Sequence, residues 1–281
     1  MKNIYAELER GSKILKENFI NSYWLDSELL LSKALNKKRE YLFLNSKEKI
    51  SDNSIDKFQN LINRRKNNEP VAYILNYKEF WRNNFYVNKN VLIPRPDTEI
   101  LVEQVIKLYS REQKLSILDI GTGSGCIIIS ILKERQKFSG TAIDISNKAI
   151  NIAKYNAKIH HLNNRIKFYK SSVDNFFKHK YDLIVSNPPY ISRLQIKYLD
   201  KDILGFEPIQ ALEGGIDGFN VFSKIVKRSS MLLKIGGKLV LEIGFDQKFE
   251  MLKLLNKHNF FVNKIVKDYG GRDRCIICTK L

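Results

Sequence analysis

The chain has 281 residues, of which 43% are hydrophobic and 11% aromatic, so it is long enough to bury a sizeable core and to form two domains. Its formal net charge is +18, but residues 1–80 contribute only +4 of this. Such a positive charge is compatible with an anionic partner, although lysines scattered over helix surfaces usually face solvent without binding anything. No apolar stretch approaches the ~20 residues of a membrane helix, and the first ten residues lack the apolar centre of a signal peptide. We therefore expect a cytoplasmic protein.

The cysteines and histidines give little support for a metal site. Cys275 and Cys278 have the C-x-x-C spacing of metal and redox sites, but no second pair completes a set of four ligands. Both fall in a predicted terminal strand, where residues three apart face opposite sides. The four histidines form no i,i+4 pair. We predict buried, inert thiols and no metal catalysis.

The first eighty residues carry apolar side chains at three- and four-residue steps, which predicts helices. Residues 51–54 supply N-cap chemistry before the last of them. Short aromatic and β-branched runs between residues 79 and 93, separated by asparagines, predict a β-hairpin that includes residues 91–93. We assign residues 1–78 to a helical bundle, 79–96 to a hairpin linker and 97–281 to a catalytic domain.

From residue 97 onward, strand-like runs alternate with helical stretches, which predicts a parallel sheet covered by helices on both faces. The predicted strands are 116–120, 141–144, 166–169, 181–186, 238–243, 260–266 and 274–279, and the predicted helices are 98–109, 126–133, 147–159, 219–233 and 247–258. Only a short link joins the last two strands, so this pair must be antiparallel.

The first strand of this region runs into a glycine-rich turn, Gly121-Thr122-Gly123-Ser124-Gly125. Glycines there let the backbone approach a ligand closely and turn into the next helix. Asp144 ends the following strand about 20 residues on, where a carboxylate can accept hydrogen bonds from ribose hydroxyls. This pattern also fits a nicotinamide dehydrogenase. Asp119, just before the turn, and the antiparallel end of the sheet instead resemble the S-adenosylmethionine-dependent methyltransferases with a seven-stranded sheet.

That resemblance implies a Rossmann-like α/β fold and a cofactor site. In the family, the amino-acid end of the cofactor lies near the acidic strand end and the glycine turn, which correspond here to Asp119 and residues 121–125. The ribose meets the acidic residue after the second strand, which corresponds to Asp144.

Asn187-Pro188-Pro189-Tyr190 follows the predicted strand 181–186. The prolines donate no N–H, so carbonyls of this turn are free acceptors; Asn187 adds a side-chain acceptor and Tyr190 an aromatic wall. Alone, the tetrapeptide is equally typical of an ordinary turn. Together with the glycine turn, it resembles methyltransferases that modify planar nitrogens, either of DNA adenine or of glutamine. We predict that the Asn187 side-chain oxygen and the Pro188 carbonyl accept the two N–H bonds of a primary amide, with Tyr190 packed on its face.

Three further segments resemble the HemK/PrmC family, the peptide chain release factor N(5)-glutamine methyltransferases. They are Leu-Ile-Pro-Arg-Pro-Asp-Thr-Glu at 92–99, Phe-Glu-Pro at 206–208 with Ala-Leu-Glu-Gly-Gly-Ile-Asp-Gly at 211–218, and Asp-Tyr-Gly-Gly-Arg-Asp-Arg at 268–274. The family methylates the glutamine of the Gly-Gly-Gln motif in bacterial release factors. The resemblance implies S-adenosyl-L-methionine as cofactor, release factors as partners, substrate recognition by the helical bundle, and a segment at 93–99 that closes over the site.

One region departs from the family pattern. After the third strand the family commonly has Asp and an aromatic residue near the adenine, whereas this chain has Ser172 and Val173. We predict that Ser172 bonds the adenine amine and that Val173 packs on its face, with weaker cofactor binding.

Three alternatives to release factor methylation stay open. A ribosomal-protein glutamine methyltransferase would share the same tetrapeptide. A DNA adenine methyltransferase usually carries an added target-recognition module, for which residues 1–80 are too short and too weakly basic. A non-catalytic RNA-binding module is supported by the charge alone. We expect neither stable nucleic-acid binding nor a membrane partner.

Overall fold

The computed structural model describes residues 2–281, which form two compact units. The first contains residues 2–77 and 200–206, and the second contains residues 78–199 and 207–281. This division differs from the predicted domains in two ways. The hairpin segment belongs to the second unit instead of forming a separate linker, and residues 200–206 group with the helical unit. No helix in the described range is both long and apolar enough to cross a membrane.

Helices and short strands alternate along most of the chain. The helices of residues 2–281 are α1 (Ile4–Glu17), α2 (Tyr23–Leu35), α3 (Arg39–Leu44), α4 (Asp52–Lys66), α5 (Val71–Leu75), α6 (Glu99–Leu108), α7 (Cys126–Glu134), α8 (Asn147–Ile159), α9 (Arg193–Ile196), α10 (Lys201–Phe206), α11 (Asn220–Leu232) and α12 (Lys248–Lys257). The strands are β1 (Tyr77–Phe80), β2 (Asn83–Tyr86), β3 (Ser116–Ile120), β4 (Ser139–Asp144), β5 (Ile166–Lys170), β6 (Tyr181–Ser186), β7 (Leu233–Glu242), β8 (Phe260–Lys267) and β9 (Asp273–Lys280).

The first unit is helical, as the apolar spacing predicted. Its core includes Leu15, Leu30 and Phe58, which are buried on α1, α2 and α4. Gly11 on α1 lies against the Phe58 ring, where an added Cβ would come within 2.5 Å, so the absence of a side chain lets these helices approach. Ser51 caps α4 by accepting from the Ser54 backbone N–H at 3.3 Å, which confirms the predicted N-cap.

The second unit contains the seven-stranded sheet, in the order β5-β4-β3-β6-β7-β9-β8. The strands from β5 to β7 run parallel, whereas β9 is antiparallel to both of its neighbours, β7 and β8. This confirms the predicted fold class, including the antiparallel end of the sheet.

Most predicted strands differ from the observed ones by no more than one or two residues at an end, but two predictions were wrong by more. Residues 91–93 lie outside any strand, and the hairpin consists of β1 and β2 alone. β7 begins at Leu233, earlier than predicted, and its register on β6 shifts between Tyr181 and Leu183. Gly236 in this stretch has φ +75°, a left-handed conformation that glycine adopts without strain and that accommodates the irregularity.

Helices cover both faces of the sheet, and successive strand residues alternate between two apolar clusters. Cys275 belongs to one cluster and Cys278 to the other, so the predicted opposite orientation of these two thiols is confirmed. Both are buried, and burial raises the pKa of Cys278 to about 12, which keeps that thiol protonated.

The sheet brings the ends of three strands together. β3 lies between β4 and β6, and Asp119 is level with Ala142 on one side and Val185 on the other. Because these strands are parallel, the loops that follow them leave the same edge of the sheet. The chain connections diverge here, towards β4 on one side and β6 on the other, which is where open α/β sheets form a ligand-binding crevice.

Candidate functional site

Asp119 lies one residue before the end of β3 and is fully buried. Its Oδ2 atom accepts a hydrogen bond from the Thr122 hydroxyl at 2.7 Å, whereas its buried Oδ1 atom meets no donor with hydrogen-bond geometry within residues 2–281. Burial raises the pKa of Asp119 to about 7, although the hydrogen bond from the Thr122 hydroxyl opposes this shift. A buried acceptor without a donor costs about 1–3 kcal/mol, so Oδ1 suits the ammonium group of a ligand.

The glycine-rich turn leaves open space beside this carboxylate. Gly121 has φ +73° and Gly123 has φ +55°, and a Cβ added at either position would meet no protein atom within 4 Å. Gly125 differs, because its Cβ would lie 3.0 Å from Ile129 and 3.3 Å from Ala153 on the flanking helices. The first two glycines therefore allow the backbone to approach a ligand, and the third allows close helix packing.

Asp144 holds the turn from the end of β4. Its Oδ2 atom accepts from the Gly123 N–H and its Oδ1 atom from the Ser146 N–H, both at 2.9 Å. Burial raises the pKa of Asp144, while these N–H groups oppose that shift. Each carboxylate oxygen has a second lone-pair direction for a ribose hydroxyl.

Asn156, on α8, was not identified from the sequence. Its side-chain nitrogen donates to the Ser124 carbonyl at 2.8 Å and to the Tyr86 carbonyl at 3.0 Å, and its oxygen accepts from the Tyr86 N–H at 2.8 Å. The β1–β2 hairpin is thereby joined to the glycine-rich turn. An asparagine inside a helical stretch carries no spacing signal, so only the folded structure identifies it.

Ser172 and Val173 follow β5. The neighbouring Ser171 donates its backbone N–H to the Asp144 carbonyl at 2.9 Å, which brings this segment next to the end of β4. Val173 is buried in an apolar cluster that includes Ile143 and Phe176. Contact of Ser172 and Val173 with an adenine ring stays a prediction.

Asn187 follows β6, and its side-chain nitrogen donates to the Thr98 hydroxyl at 3.0 Å. The Asn187 Oδ1 atom and the Pro188 carbonyl accept no hydrogen bond from the part of the chain that the structure describes. These atoms are the two acceptors that the sequence assigned to a primary amide.

Tyr190 is held at both its side chain and its backbone. Its hydroxyl lies 3.3 Å from Glu242 Oε1 and 3.4 Å from an Arg274 nitrogen. Its carbonyl accepts from the Gln247 side chain at 3.1 Å. Burial and the Glu242 carboxylate raise the pKa of Tyr190 above its ordinary value, so the phenol stays neutral.

Two glycines of the segment 211–218 pack closely against the backbone of the tetrapeptide. An added Cβ at Gly214 would lie 2.8 Å from the Pro189 carbonyl oxygen. At Gly218, where φ is +83°, it would lie 2.5 Å from the Tyr190 carbonyl oxygen. The glycine pattern that the sequence linked to a family thus corresponds to close backbone approach.

Glu207 joins two segments that are far apart in sequence. This buried carboxylate accepts from the Ile93 N–H at 3.1 Å and from Arg95 at 2.5 Å. Thr98, further along the same segment, reaches Asn187. The segments 92–99 and 206–208, singled out only by resemblance, therefore contact each other.

Glu242, at the end of β7, was also missed. It is 2% exposed, and burial raises its pKa to about 7, while the Thr98 hydroxyl and Arg274 oppose that shift. Its signal in the sequence was a carboxylate ending a buried strand, the same pattern that led to Asp119 and Asp144.

Two family models match the chain: the PrmC N-terminal domain over residues 7–75 and the methyltransferase small domain over residues 96–204. A release factor glutamine methyltransferase of Clostridium botulinum is 40% identical over 97% of this chain and 98% of its own length. That of Fusobacterium nucleatum is 40% identical over 96% of this chain and 77% of its own length. A bifunctional methyltransferase of Rickettsia conorii is 36% identical over 92% of this chain, which spans 54% of that longer protein.

Two solved structures share the fold at low sequence identity. The ribosomal protein L11 methylase of Lactobacillus delbrueckii matches with a TM-score of 0.51 and 20% identity, over 66% of this chain and 80% of its own. A methyltransferase of Pyrococcus furiosus matches with a TM-score of 0.53 and 18% identity, over 70% of this chain and 88% of its own. From the sequence relatives, which match nearly end to end, the chain belongs to the family of release factor glutamine methyltransferases, which are S-adenosylmethionine-dependent enzymes.

Proposed function

We propose that this protein transfers a methyl group from S-adenosylmethionine to the side-chain amide nitrogen of the glutamine in the Gly-Gly-Gln motif of bacterial peptide chain release factors. One observation carries the proposal: within residues 2–281, neither the Asn187 side-chain oxygen nor the Pro188 carbonyl accepts a hydrogen bond, and both lie at the sheet edge that also carries Asp119 and the glycine-rich turn. The names of the relatives supply the substrate class.

The residues at the ends of β3, β4 and β5 fit the cofactor. The unpaired Asp119 Oδ1 atom would accept from its ammonium group, and the open space at Gly121 and Gly123 would admit its amino-acid end. The Asp144 carboxylate would accept from the ribose hydroxyls, with Ser172 and Val173 beside the adenine. When bound, S-adenosylmethionine supplies a sulfonium methyl group, which passes to the amide nitrogen as the carbon–sulfur bond breaks and its electron pair stays on sulfur.

The protein must make a poor nucleophile reactive. The amide nitrogen lone pair is delocalised, and the resonance corresponds to a rotation barrier of ~18–20 kcal/mol. Asn187 Oδ1 and the Pro188 carbonyl would hold the two N–H bonds and so orient the nitrogen, with reacting atoms about 3–3.5 Å apart supplying much of the rate. The amide proton becomes acidic only as the methyl group is transferred, so water can take it and no base is needed beforehand.

The helical unit is the proposed binding module for the release factor. Its support is the match of residues 7–75 to the PrmC N-terminal domain and the small net charge of residues 1–80. This charge favours a protein partner over a nucleic acid, whose binding would depend on several phosphate contacts.

The test is a methyl-transfer assay with labelled S-adenosylmethionine and four acceptors. These are a purified release factor, the same factor with its motif glutamine changed to alanine, a ribosomal preparation and duplex DNA. We expect label on the unmodified release factor alone. Label in DNA, in ribosomal protein, or on the alanine variant at an equal level would overturn the proposal.

A further inference from the structure

Glu242 is connected by hydrogen bonds to both ends of the Asn187–Tyr190 tetrapeptide, directly to Tyr190 and through Thr98 to Asn187. Its Oε2 atom accepts from the Thr98 hydroxyl at 2.6 Å, and its Oε1 atom accepts from the Tyr190 hydroxyl at 3.3 Å. Through Thr98 the same carboxylate reaches Asn187. One buried carboxyl group is therefore linked to both side chains assigned to the substrate amide.

The direction of these hydrogen bonds fixes the orientation of the Asn187 amide. When ionised, as it is above its raised pKa of about 7, the Glu242 carboxylate can only accept, so Thr98 then donates its single hydroxyl proton to Glu242. The Thr98 oxygen can then only accept from Asn187, which must present its NH₂ group to Thr98. The Asn187 oxygen is thereby left facing away from Thr98. An asparagine without this constraint could turn its amide over and offer donors in place of an acceptor.

We propose that Glu242 and Thr98 are positioning residues that dictate which end of the Asn187 amide meets the substrate glutamine, an inference that rests on the proposed function. Neither residue needs to touch the reacting atoms. Their effect is to keep an acceptor where the glutamine NH₂ requires one.

The surroundings of Glu242 explain how a buried carboxylate can be kept for this purpose. Arg274 lies beside it, also hydrogen-bonds the Tyr190 hydroxyl, and forms ion pairs with Asp268 at 3.0 Å and Asp97 at 3.3 Å. The positive charge offsets part of the cost of burying Glu242. Removal of the whole side chain would take this acceptor from the Thr98 and Tyr190 hydroxyls, so the informative variants are those of the same size.

Thr98→Val and Thr98→Ser form a matched pair. Valine has the same shape as threonine but can neither donate nor accept, whereas serine keeps the hydroxyl. We expect Thr98→Val to lower kcat by roughly 100-fold, the scale of a small misplacement of a reacting group. The dissociation constant for S-adenosylmethionine should not change, and Thr98→Ser should restore most of kcat.

Glu242→Gln tests the direction of the hydrogen bonds that run from Asn187 through Thr98 to Glu242. A glutamine amide can donate to the Thr98 oxygen, which frees the Thr98 proton to point at Asn187 and favours the opposite amide orientation. We expect a loss of kcat similar to that of Thr98→Val. The double variant should be no worse than the poorer single variant, because residues acting as one unit are not additive.

Inhibition by a substrate-like peptide distinguishes a change in the orientation of the Asn187 amide from a general structural defect of the variant. A peptide with glutamate in place of the motif glutamine presents only acceptors, so it should inhibit the unsubstituted enzyme weakly. In Glu242→Gln, where Asn187 presents its NH₂ group, this peptide should inhibit at several-fold lower concentration. A merely structural defect would weaken inhibition.

Wild-type kcat in both Thr98→Val and Glu242→Gln, or additive losses in the double variant, would overturn the proposal. If Glu242→Gln does not fold, Thr98→Val and Thr98→Ser still test the proposal. Equal loss of activity in these two variants would contradict the positioning role of the Thr98 hydroxyl. If the unsubstituted enzyme methylates a different amide, the proposed function fails while the same variants, assayed on that amide, still test the positioning.

Discussion

The cofactor side and the amide side of the site are built by different means. Around the glycine-rich turn, Asp119 and Asp144 accept hydrogen bonds from groups in the loops that directly follow β3 and β4. Around the tetrapeptide, Asn187 and Tyr190 are held by Thr98, Glu242 and Arg274, which come from distant parts of the chain. Most contacts of the glycine-rich turn can be recognised in the sequence, although Asn156 also supports it from a distant helix. The residues that hold Asn187 and Tyr190 cannot be found from the tetrapeptide motif.

The two buried carboxylates sharpen this contrast. Burial raises the pKa of both Asp119 and Glu242 to about 7. Asp119 keeps one oxygen without a donor, whereas both oxygens of Glu242 accept hydrogen bonds from the protein. A buried carboxyl group thus has two different uses. Asp119 keeps an acceptor for a ligand on the cofactor side, whereas Glu242 uses both oxygens to hold protein groups on the amide side. Separate effects on cofactor binding and on turnover are expected from the two sides.

The largest effect is expected on the amide side. Asn187→Ala removes one of the two acceptors and should abolish measurable turnover, while calorimetry should still detect S-adenosylmethionine binding. The matched control is Asn163→Ala, at an exposed asparagine whose amide donates to its neighbour Asn164. Loss of cofactor binding in Asn187→Ala would show that the two sides are not separable.

Asp119→Asn should affect the cofactor side. It removes the charge but leaves an oxygen for the Thr122 hydroxyl. A hydrogen bond to a charged group contributes about 1.5–3 kcal/mol, so the dissociation constant for S-adenosylmethionine should rise roughly 10- to 100-fold. kcat at saturating cofactor should change much less. An unchanged dissociation constant would contradict the assignment of the unpaired Asp119 oxygen to the ligand ammonium.

The same variant should change how stability depends on pH. A carboxyl group whose pKa is raised in the folded state binds more protons there than when unfolded, so ligand-free stability falls as pH rises. For Asp119 this fall extends from about pH 4, near the ordinary aspartate pKa, to about pH 7. Asp119→Asn removes this contribution. Its melting temperature should therefore exceed that of the unsubstituted protein at pH 8 and converge with it at low pH; a constant difference would contradict the raised pKa.

Two glycine substitutions compare the loops directly. Gly123→Ala adds a Cβ into open space and should weaken S-adenosylmethionine binding, whereas Gly218→Ala places a Cβ 2.5 Å from the Tyr190 carbonyl and should lower kcat. Both positions have positive φ, so each change also costs about 1 kcal/mol of stability. We expect roughly tenfold effects on the respective constants. Equal effects on both constants in both variants would remove the distinction between the sides.

The smallest effect is expected for Glu207→Gln, which weakens the attachment of residues 93–95. Replacing an ionised acceptor by a neutral one costs about 1 kcal/mol, so KM for the release factor should rise roughly fivefold. The control is Glu213→Gln, which alters the partner of exposed Arg193. A larger change in the dissociation constant for S-adenosylmethionine than in KM for the release factor would assign this segment to the cofactor side.

Much of the fold was predictable because each element carries its own local signal. β3 and β6 were predicted with the boundaries that the structure has, and so was α8. The exceptions were residues 91–93, which have strand-forming side chains but lie outside the sheet, and the early start of β7. Residues 91–93 have the composition of a strand, whereas residues 233–237 include two glycines, which are depleted in strands, so pairing with a neighbour decided both outcomes.

The sequence by itself determined the sheet, the glycine-rich turn with its two strand-ending aspartates, and the tetrapeptide after β6. These depend on backbone conformation and on neighbours within a few residues, which spacing and residue type reveal. Only the tertiary structure decided that Thr98 and Glu242 orient Asn187, that Glu207 holds Ile93 and Arg95, and that Gly214 lies against Pro189. The physical reason is that hydrogen-bond direction and close backbone approach depend on which distant segments come into contact. The spacing of residues along the sequence does not show which segments these are.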